Sequence, residues 1–407
     1  MKKPEKKQLI LIFAFVFLDL LGYSLILPLL PFYASSFGAT LTLVGLLGTV
    51  NGLGQLIAAP VIGRLSDRYG RRPLLILAVS GTVIGFLLLG FAQSLWMIFL
   101  SRIVDGLFGG DTALARAYIT DITEPKQRAK YLGMIGAAFG LGFIIGPVMG
   151  GLLSTVSLNL PALVAAALAI ISLVAVIIWL PESLPPEERQ KRHDNPHTAF
   201  NLINLVDALR RPCVGPLLVI QLFYSFAFTL FQSNFALYAK EVLGLNVQNT
   251  GLILTYVGLL SVIIQGFAIG KLTQAFKERR LITAGALILA AALLVWGFTR
   301  NVWLLLAILA PIALSAGILS TVLTSQITKA VYQEDVGGTL GLANSLQTLA
   351  QIFTPGLGGL LLATLGPWAL GVTSSILMGL AYATTLRKGI QDQDLDEQSP
   401  CYQPAQD

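Results

Sequence analysis

The chain has 407 residues, of which 55% are hydrophobic and 12% are charged, and its net charge is +6. Its mean hydropathy is +0.75. Soluble domains carry about 25% charged residues, so this composition excludes a water-soluble globule. The high apolar content also excludes a disordered chain. What remains is a membrane protein that crosses the bilayer many times.

Twelve apolar runs follow one another along the chain, and each is close to the roughly 20 residues that cross a bilayer as a helix. They lie at 8–33, 42–63, 73–93, 95–118, 131–154, 160–180, 213–240, 248–270, 281–299, 302–328, 337–363 and 366–386. We therefore predict an all-α membrane protein with 12 transmembrane helices. The basic start, MKKPEKKQ, is typical of a signal peptide, but the long apolar run after it has no A-x-A cleavage signal. We expect an uncleaved first span.

The positions of lysine and arginine predict the orientation in the membrane. With the N-terminus in the cytoplasm, 23 of the 27 basic residues lie on the cytoplasmic side, and the opposite side holds only Lys240 and Arg300. The basic balance therefore reflects membrane topology, and we expect no nucleic-acid partner. We predict that both termini are cytoplasmic and that the chain lies in a cell (inner) membrane.

The two halves of the chain repeat each other. Segment 62–76 aligns with 269–283, and segment 140–153 aligns with 348–361, at nearly the same offset. Parallel six-helix repeats are a known architecture of secondary transporters. The predicted parts are an N-terminal six-helix bundle at 1–180, a cytoplasmic linker at 181–212, a C-terminal six-helix bundle at 213–388 and a disordered tail at 389–407.

The loop after the second span carries the most specific motif. It reads GRLSDRYGRR over 63–72 and fits the signature G-x-L-x-D-R-x-G-R-R/K. With this motif the chain resembles the major facilitator superfamily, and within it the twelve-span drug:proton antiporters that include tetracycline efflux proteins. The resemblance implies a cytoplasmic gate that closes through rearranging charge pairs. The residues of this predicted gate are Gly63, Asp67, Arg68, Gly70, Arg71 and Arg72.

The second copy of this loop departs from the signature. Gln274 stands where the first copy has Asp67, and Lys277 stands where it has Gly70. We therefore predict a charge-paired latch in the N-terminal half only.

Two further segments resemble motifs of the same family. The first span reads LDLLGYSLILPLLP over 18–31, similar to the first-span motif of the drug exporters, and span 5 carries a glycine motif similar to one that marks antiporters. Glycines four residues apart leave a groove for a neighbouring helix, and a proline bends the helix. The residues of this predicted packing motif are Gly142, Gly146, Pro147, Gly150 and Gly151.

Ionisable side chains inside spans indicate function, because each costs at least about 2.5–3.5 kcal/mol to insert. Asp19 lies roughly 16 Å deep in span 1. On span 4, Arg102 and Asp105 are one turn apart and can neutralise each other. Asp111 projects to the opposite side of a continuous helix, so it must face a cavity, be protonated or pair with another helix. We predict that these four residues couple protons to substrate, and Arg102 also matches the family's membrane-embedded arginine linked to proton transfer.

The second six spans hold no deeply placed Asp, Glu, Lys or Arg. They offer neutral polar and aromatic side chains, some of which serve only as hydrogen bonds between helices. The candidate substrate-pocket residues are Tyr224, Gln232, Asn234, Tyr256, Gln265 and Gln326.

Together these features and the family resemblance predict a proton-coupled antiporter of small amphipathic, cationic or zwitterionic compounds such as drugs, which works by alternating access. The direction of transport, export, is implied by the resemblance alone. We expect a monomer that needs no cofactor beyond the proton gradient. The sequence contains no Walker loop, dinucleotide-binding loop, H-E-x-x-H or G-x-S-x-G motif, and its two cysteines and two histidines form no metal pattern, so we expect no enzyme. Two alternatives on the same fold stay open: a proton-coupled symporter of sugars or organic anions, and a lysophospholipid or lipid exporter.

Overall fold

The computed structural model describes residues 6–123, 125–184, 214–331 and 336–386. Within these ranges the chain is helical and contains no β-strand. Most of the predicted linker and the predicted disordered tail lie outside the described residues. Ten of the described helices are long and apolar enough to cross a membrane.

The described helices follow the predicted spans closely. Those of the first half are α1 (Lys6–Ile26), α2 (Leu30–Ser36), α3 (Leu41–Tyr69), α4 (Arg71–Gly90), α5 (Leu95–Phe108), α6 (Asp111–Ile122), α7 (Pro125–Ser154) and α8 (Leu160–Trp179). Those of the second half are α9 (Val214–Leu243), α10 (Val247–Ile263), a π-helical turn (Ile264–Ala268), α11 (Ile269–Ala275), α12 (Glu278–Phe298), α13 (Val302–Lys329), α14 (Val336–Thr364) and α15 (Trp368–Thr385). The predicted all-α membrane fold is confirmed.

The prediction of one continuous helix over the fourth span, 95–118, is wrong. Gly109 and Gly110 separate α5 from α6, and Gly110 has a φ of 156°. Glycine lowers helix stability by about 1 kcal/mol relative to alanine, so two in succession favour an interruption. Asp111 then begins α6, and its Oδ1 accepts a hydrogen bond of 2.6 Å from the backbone N–H of Thr112. A carboxylate is favourable at this position because the helix dipole is positive there.

The chain forms two compact units. One comprises Met1–Ala199 and Ala239–Gly258, and the other comprises Phe200–Tyr238 and Leu259–Asp407. In the first unit α1 packs against α7 and α8, α3 packs against α5, and α4 packs against both α5 and α8.

The second unit is built around α12, which packs against α13 and α15. Trp296 on α12 is fully buried and lies edge-on to the ring of Phe231, with their centroids 4.8 Å apart. The hydroxyl of Tyr238 donates to the backbone carbonyls of Trp296 and Thr299, at 2.8 and 2.7 Å. This aromatic cluster joins α9 to the end of α12.

Candidate functional site

The break in the fourth span brings two acidic residues from distant parts of the sequence together. Asp19, in the middle of α1, and Asp111, at the start of α6, have carboxyl groups within hydrogen-bonding reach of each other. A helical-wheel angle across Gly109–Gly110 has no meaning once the helix is interrupted. Asp111 was expected to face a cavity, be protonated or pair with another helix, and in the structure its neighbour is Asp19 on another helix. Two carboxyl groups can hydrogen bond only when one of them carries a proton, because ionised carboxylates are acceptors only.

Asp105 and Arg102 form the second part of the cluster. Nη1 of Arg102 lies 3.5 Å from Oδ2 of Asp105, and their side chains are 4% and 12% exposed. Nε of Arg102 donates to the hydroxyl of Ser101 at 3.3 Å, and Nη2 has no hydrogen-bond partner among the described residues. Asp105 interacts electrostatically with Asp111 as well as with Arg102, so the two parts form one site.

Two residues that the sequence prediction missed orient Asp105. Nδ2 of Asn51 donates to Oδ2 of Asp105 at 2.9 Å and to the backbone carbonyl of Arg102 at 3.2 Å. Nε2 of Gln55 donates to Oδ1 of Asn51 at 3.0 Å. The signal in the sequence was a pair of amides four residues apart in an apolar span, which lie on one face of a helix.

Close contact between two helix backbones makes this hydrogen bond possible. A Cβ placed on Gly54 of α3 would lie 2.8 Å from the carbonyl carbon of Gly106 on α5, and a Cβ on Gly106 would collide with the backbone of Asn51. Only glycine permits this approach. The helices are therefore near enough for the short side chain of Asn51 to reach Asp105.

The charges of this cluster limit its chemistry. Arg102 offsets the charge of Asp105. A proton shared between two neighbouring carboxyl groups leaves a single negative charge on the pair. Two adjacent carboxyl groups that compete for protons are a familiar means of holding one proton tightly and another loosely. Such a site can exchange a proton for a cationic or hydrogen-bonding ligand.

The predicted gate has Arg71 at its centre. This arginine is buried; its Nη2 lies 2.6 Å from Oδ1 of Asp67, its Nε lies 3.0 Å from Oδ2 of Asp121, and its Nη1 contacts the hydroxyl of Ser66. Asp67 therefore shares Arg71 with a second acid, which the sequence prediction missed because Asp121 lies at the far end of α6. Gly70 permits the sharp connection between α3 and α4, with a φ of 105°.

The remaining arginines of the gate have separate partners. Glu182, a second acid that the prediction missed, accepts hydrogen bonds from the backbone N–H groups of Arg71 and Arg72, at 2.8 and 3.2 Å. A carboxylate at this point compensates the positive end of α4. Nη2 of Arg72 donates to the carbonyl of Ile177 at 2.5 Å, and the guanidinium of Arg68 lies 5.4 Å from the ring centre of Tyr69. At Gly63 an added Cβ would meet nothing within 4 Å.

The glycine motif of α7 lies along α1. A Cβ on Gly142 would come within 3.3 Å of the backbone of Leu20, and one on Gly146 or Gly150 would collide with the Ser24–Leu25 segment. The hydroxyl of Ser24 donates to the carbonyl of Gly142 at 2.8 Å.

The opposite face of the motif contacts the start of α10, which belongs to the same unit. A Cβ on Gly251 would collide with the carbonyl of Pro147, and one on Gly151 would lie 3.0 Å from Cα of Gln248. The motif therefore forms close contacts on both sides of α7.

The six predicted pocket residues differ in their surroundings. Tyr224 and Asn234 are buried and donate to backbone carbonyls, Tyr224 to Ala316 at 3.0 Å and Asn234 to Thr354 at 3.2 Å. The amide of Gln326 donates to the carboxylate of Glu278. The polar groups of these three side chains therefore form hydrogen bonds within the protein.

The other predicted pocket residues are less enclosed. Gln232 and Gln265 are exposed, and Tyr256 is half-buried. Gln265 lies in the π-helical turn, a feature frequent at functional sites.

Comparison of the sequence with protein-family models identifies the family. The model of the Major Facilitator Superfamily matches residues 12–268 and 217–393. The chain belongs to the major facilitator superfamily. It is thus a membrane transporter with many spans, not an enzyme.

Individual relatives are similar in sequence to this superfamily member over most of its length. The class C tetracycline resistance protein of Escherichia coli is 31% identical over 362 residues, which cover 86% of this chain and 88% of that protein. The class B protein of the same organism is 30% identical, covering 83% and 84%. Solute carrier family 22 member 18 of Rattus norvegicus is 29% identical and covers 90% of each chain.

Solved structures have the same fold. The human organic anion transporter MFSD10 (TETRAN) has a TM-score of 0.70 at 23% identity and covers 94% of this chain and 100% of that chain. A bacterial homolog of the human lysosomal transporter Spinster has a TM-score of 0.74 at 16% identity, covering 98% and 100%. At these identities the likeness extends to the fold alone.

Proposed function

We propose that this transporter is a proton-coupled antiporter that exports small amphipathic compounds, cationic or zwitterionic, from the cell. The observation that carries the proposal is the approach of Asp19 to Asp111, which brings two carboxyl groups close enough to share a proton. The tetracycline resistance proteins of Escherichia coli, which resemble this chain over most of its length, support efflux of drug-like molecules.

In the proposed cycle, the acidic pair takes up a second proton while it faces the outside. When it faces the cytoplasm it loses that proton, and the remaining negative charge attracts the substrate. Competition for one site couples the two fluxes, because each ligand shifts the equilibrium by its difference in affinity for the two states. Arg102 and Asp105 lie beside the pair and modulate release of the proton.

The gate of the proposed cycle is formed by Arg71 with Asp67 and Asp121. These contacts join the ends of α3, α4 and α6, and they must rearrange when that end of the unit opens. In the proposed orientation both termini and this gate face the cytoplasm, in a cell (inner) membrane, and the protein acts as a monomer.

Purified protein in liposomes with a pH-sensitive dye inside tests this function. Tetracycline and ethidium are suitable first probes, one zwitterionic and one cationic. Antiport predicts that adding a transported probe moves protons against the direction of the probe, and that probe binding weakens as the pH falls. Proton movement in the same direction as the probe would identify a symporter. Competition by lysophospholipid, with no response to either drug, would identify a lipid exporter.

A further inference from the structure

An ionic cluster lies at the second copy of the gate loop, although the sequence of this copy departs from the signature. Glu278 is the first residue of α12, and its carboxylate accepts hydrogen bonds from three side chains of α13. Nζ of Lys329 donates at 3.0 Å, the hydroxyl of Ser325 donates at 3.1 Å, and Nε2 of Gln326 is the third donor. The start of α12 is thereby tied to the end of α13.

This cluster occupies the same positions in the second repeat as the Arg71 cluster does in the first. Under the alignment of 62–76 with 269–283, Glu278 corresponds to Arg71, and each begins the helix after the loop. Under the offset of the other aligned segments, Lys329 corresponds to Asp121. Each lies at or next to the end of its helix. Both units therefore pair the same two positions, and the charges are exchanged.

Favourable helix dipoles alone do not account for the second cluster. An acid at the start of a helix and a base at the end of one are each stabilising, typically by about 0.3–1 kcal/mol. That effect needs no contact between the two helices. Here one carboxylate instead collects three donors from a single neighbouring helix, which is a specific joint between them.

We propose that Glu278 and Lys329 form a second clasp, inverted in charge, that holds the ends of α12 and α13 together and is released during transport. They are positioning residues, and what matters is that their charges are opposite. The expectation of a latch in the N-terminal half alone is therefore replaced by a clasp in each unit. This inference rests on the transporter fold and does not depend on the substrate or on proton coupling.

The second clasp should be weaker than the first, because its side chains are more exposed to solvent. The side chains of Glu278 and Lys329 are 20% and 52% exposed, whereas those of Arg71 and Asp121 are 7% and 5% exposed. Exposed ion pairs contribute less and are screened by salt, with a Debye length of about 3 Å at roughly 1 M. Salt should therefore loosen the second clasp and leave the first one closed.

Distance measurement by pulsed electron paramagnetic resonance tests the clasp on the full chain, with Cys213→Ser and Cys401→Ser and spin labels at Arg280→Cys and Thr324→Cys. We expect Glu278→Gln and Lys329→Gln each to broaden the distance distribution. The exchange variant, Glu278→Lys with Lys329→Glu, should restore it. Lys271→Gln, which removes an exposed cation from the neighbouring α11, is the matched control and should leave the distribution unchanged.

Two results would overturn the proposal: narrow, wild-type distributions in both single variants, or no restoration in the exchange variant. Thermal unfolding of each variant separates clasp opening from loss of fold. In transport assays the single variants should lower turnover by up to about fivefold without changing KM, the size expected for an exposed pair. Because the distance readout needs no substrate, its outcome is separate from that of the antiport experiment.

Discussion

The two units of this transporter place polar groups inside the membrane in different ways. The first brings Asp19, Asp105 and Asp111, which are half-buried, together with the buried Arg102 in one connected cluster. The second uses neutral groups such as Tyr224, whose hydroxyl donates to a backbone carbonyl. A satisfied neutral group joins helices at modest cost, whereas a buried charge is expensive. The difference agrees with the proton chemistry that we propose for the first unit, whereas buried polar groups such as Tyr224 join helices of the second unit.

Replacement of the acidic pair should have the largest effect. We expect Asp19→Asn to abolish substrate-driven proton movement in liposomes and Asp111→Asn at least to impair it, because an amide can neither take up nor release a proton. Glu241→Gln, which alters an acid that pairs with Lys240, is the matched control. If both variants exchange protons near the wild-type rate, the coupling belongs to Asp105 with Arg102.

The gate of the first unit gives the next largest effect. Asp121 is almost fully enclosed beside Arg71, whereas the side chain of Asp67 is 34% exposed. Removing one partner of a buried ion pair costs about 3–5 kcal/mol, so Asp121→Asn should slow transport more than Asp67→Asn does. Thermal unfolding of both variants shows whether the slower rate comes with loss of fold. Wild-type transport by a folded Asp67→Asn protein would contradict its role in the gate.

Much of this arrangement follows from the sequence, and the rest depends on contacts between distant segments. The spans, the gate motif and the pair formed by Arg102 and Asp105 are local patterns, and they were predicted. The approach of Asp111 to Asp19 was not, because it depends on the break at Gly109–Gly110, and a glycine doublet in an apolar run does not by itself end a helix. The amide of Asn51 was missed because its partner lies on another helix.

A glycine at the α3–α5 crossing should be far less replaceable than an open one in the second unit. An added Cβ on Gly106 would collide with Asn51, whereas one on Gly379 would meet nothing within 4 Å. We expect Gly106→Ala to destabilise the protein by about 1–3 kcal/mol through overpacking. Gly379→Ala should be neutral or stabilising by up to about 1 kcal/mol. Thermal unfolding in detergent compares them, and equal midpoints would show that the crossing is not tight.

The smallest effect is expected at the second clasp. Raising the salt to about 1 M should broaden the distance between the labels on α12 and α13. The same salt should leave unchanged the spacing of labels placed across Arg71 and Asp121. If salt broadened both distances equally, the difference that we infer between a buried and an exposed clasp would be contradicted.

The central claim is that Asp19 and Asp111 share a proton, and infrared spectroscopy of the purified full chain tests it without a substrate. The account predicts a protonated-carboxyl band in the wild type that titrates with pH. That band should shift or disappear in both Asp19→Asn and Asp111→Asn and persist in Glu241→Gln. A carboxyl band that is identical in the wild type and both aspartate variants would contradict the shared proton and the mechanism that depends on it.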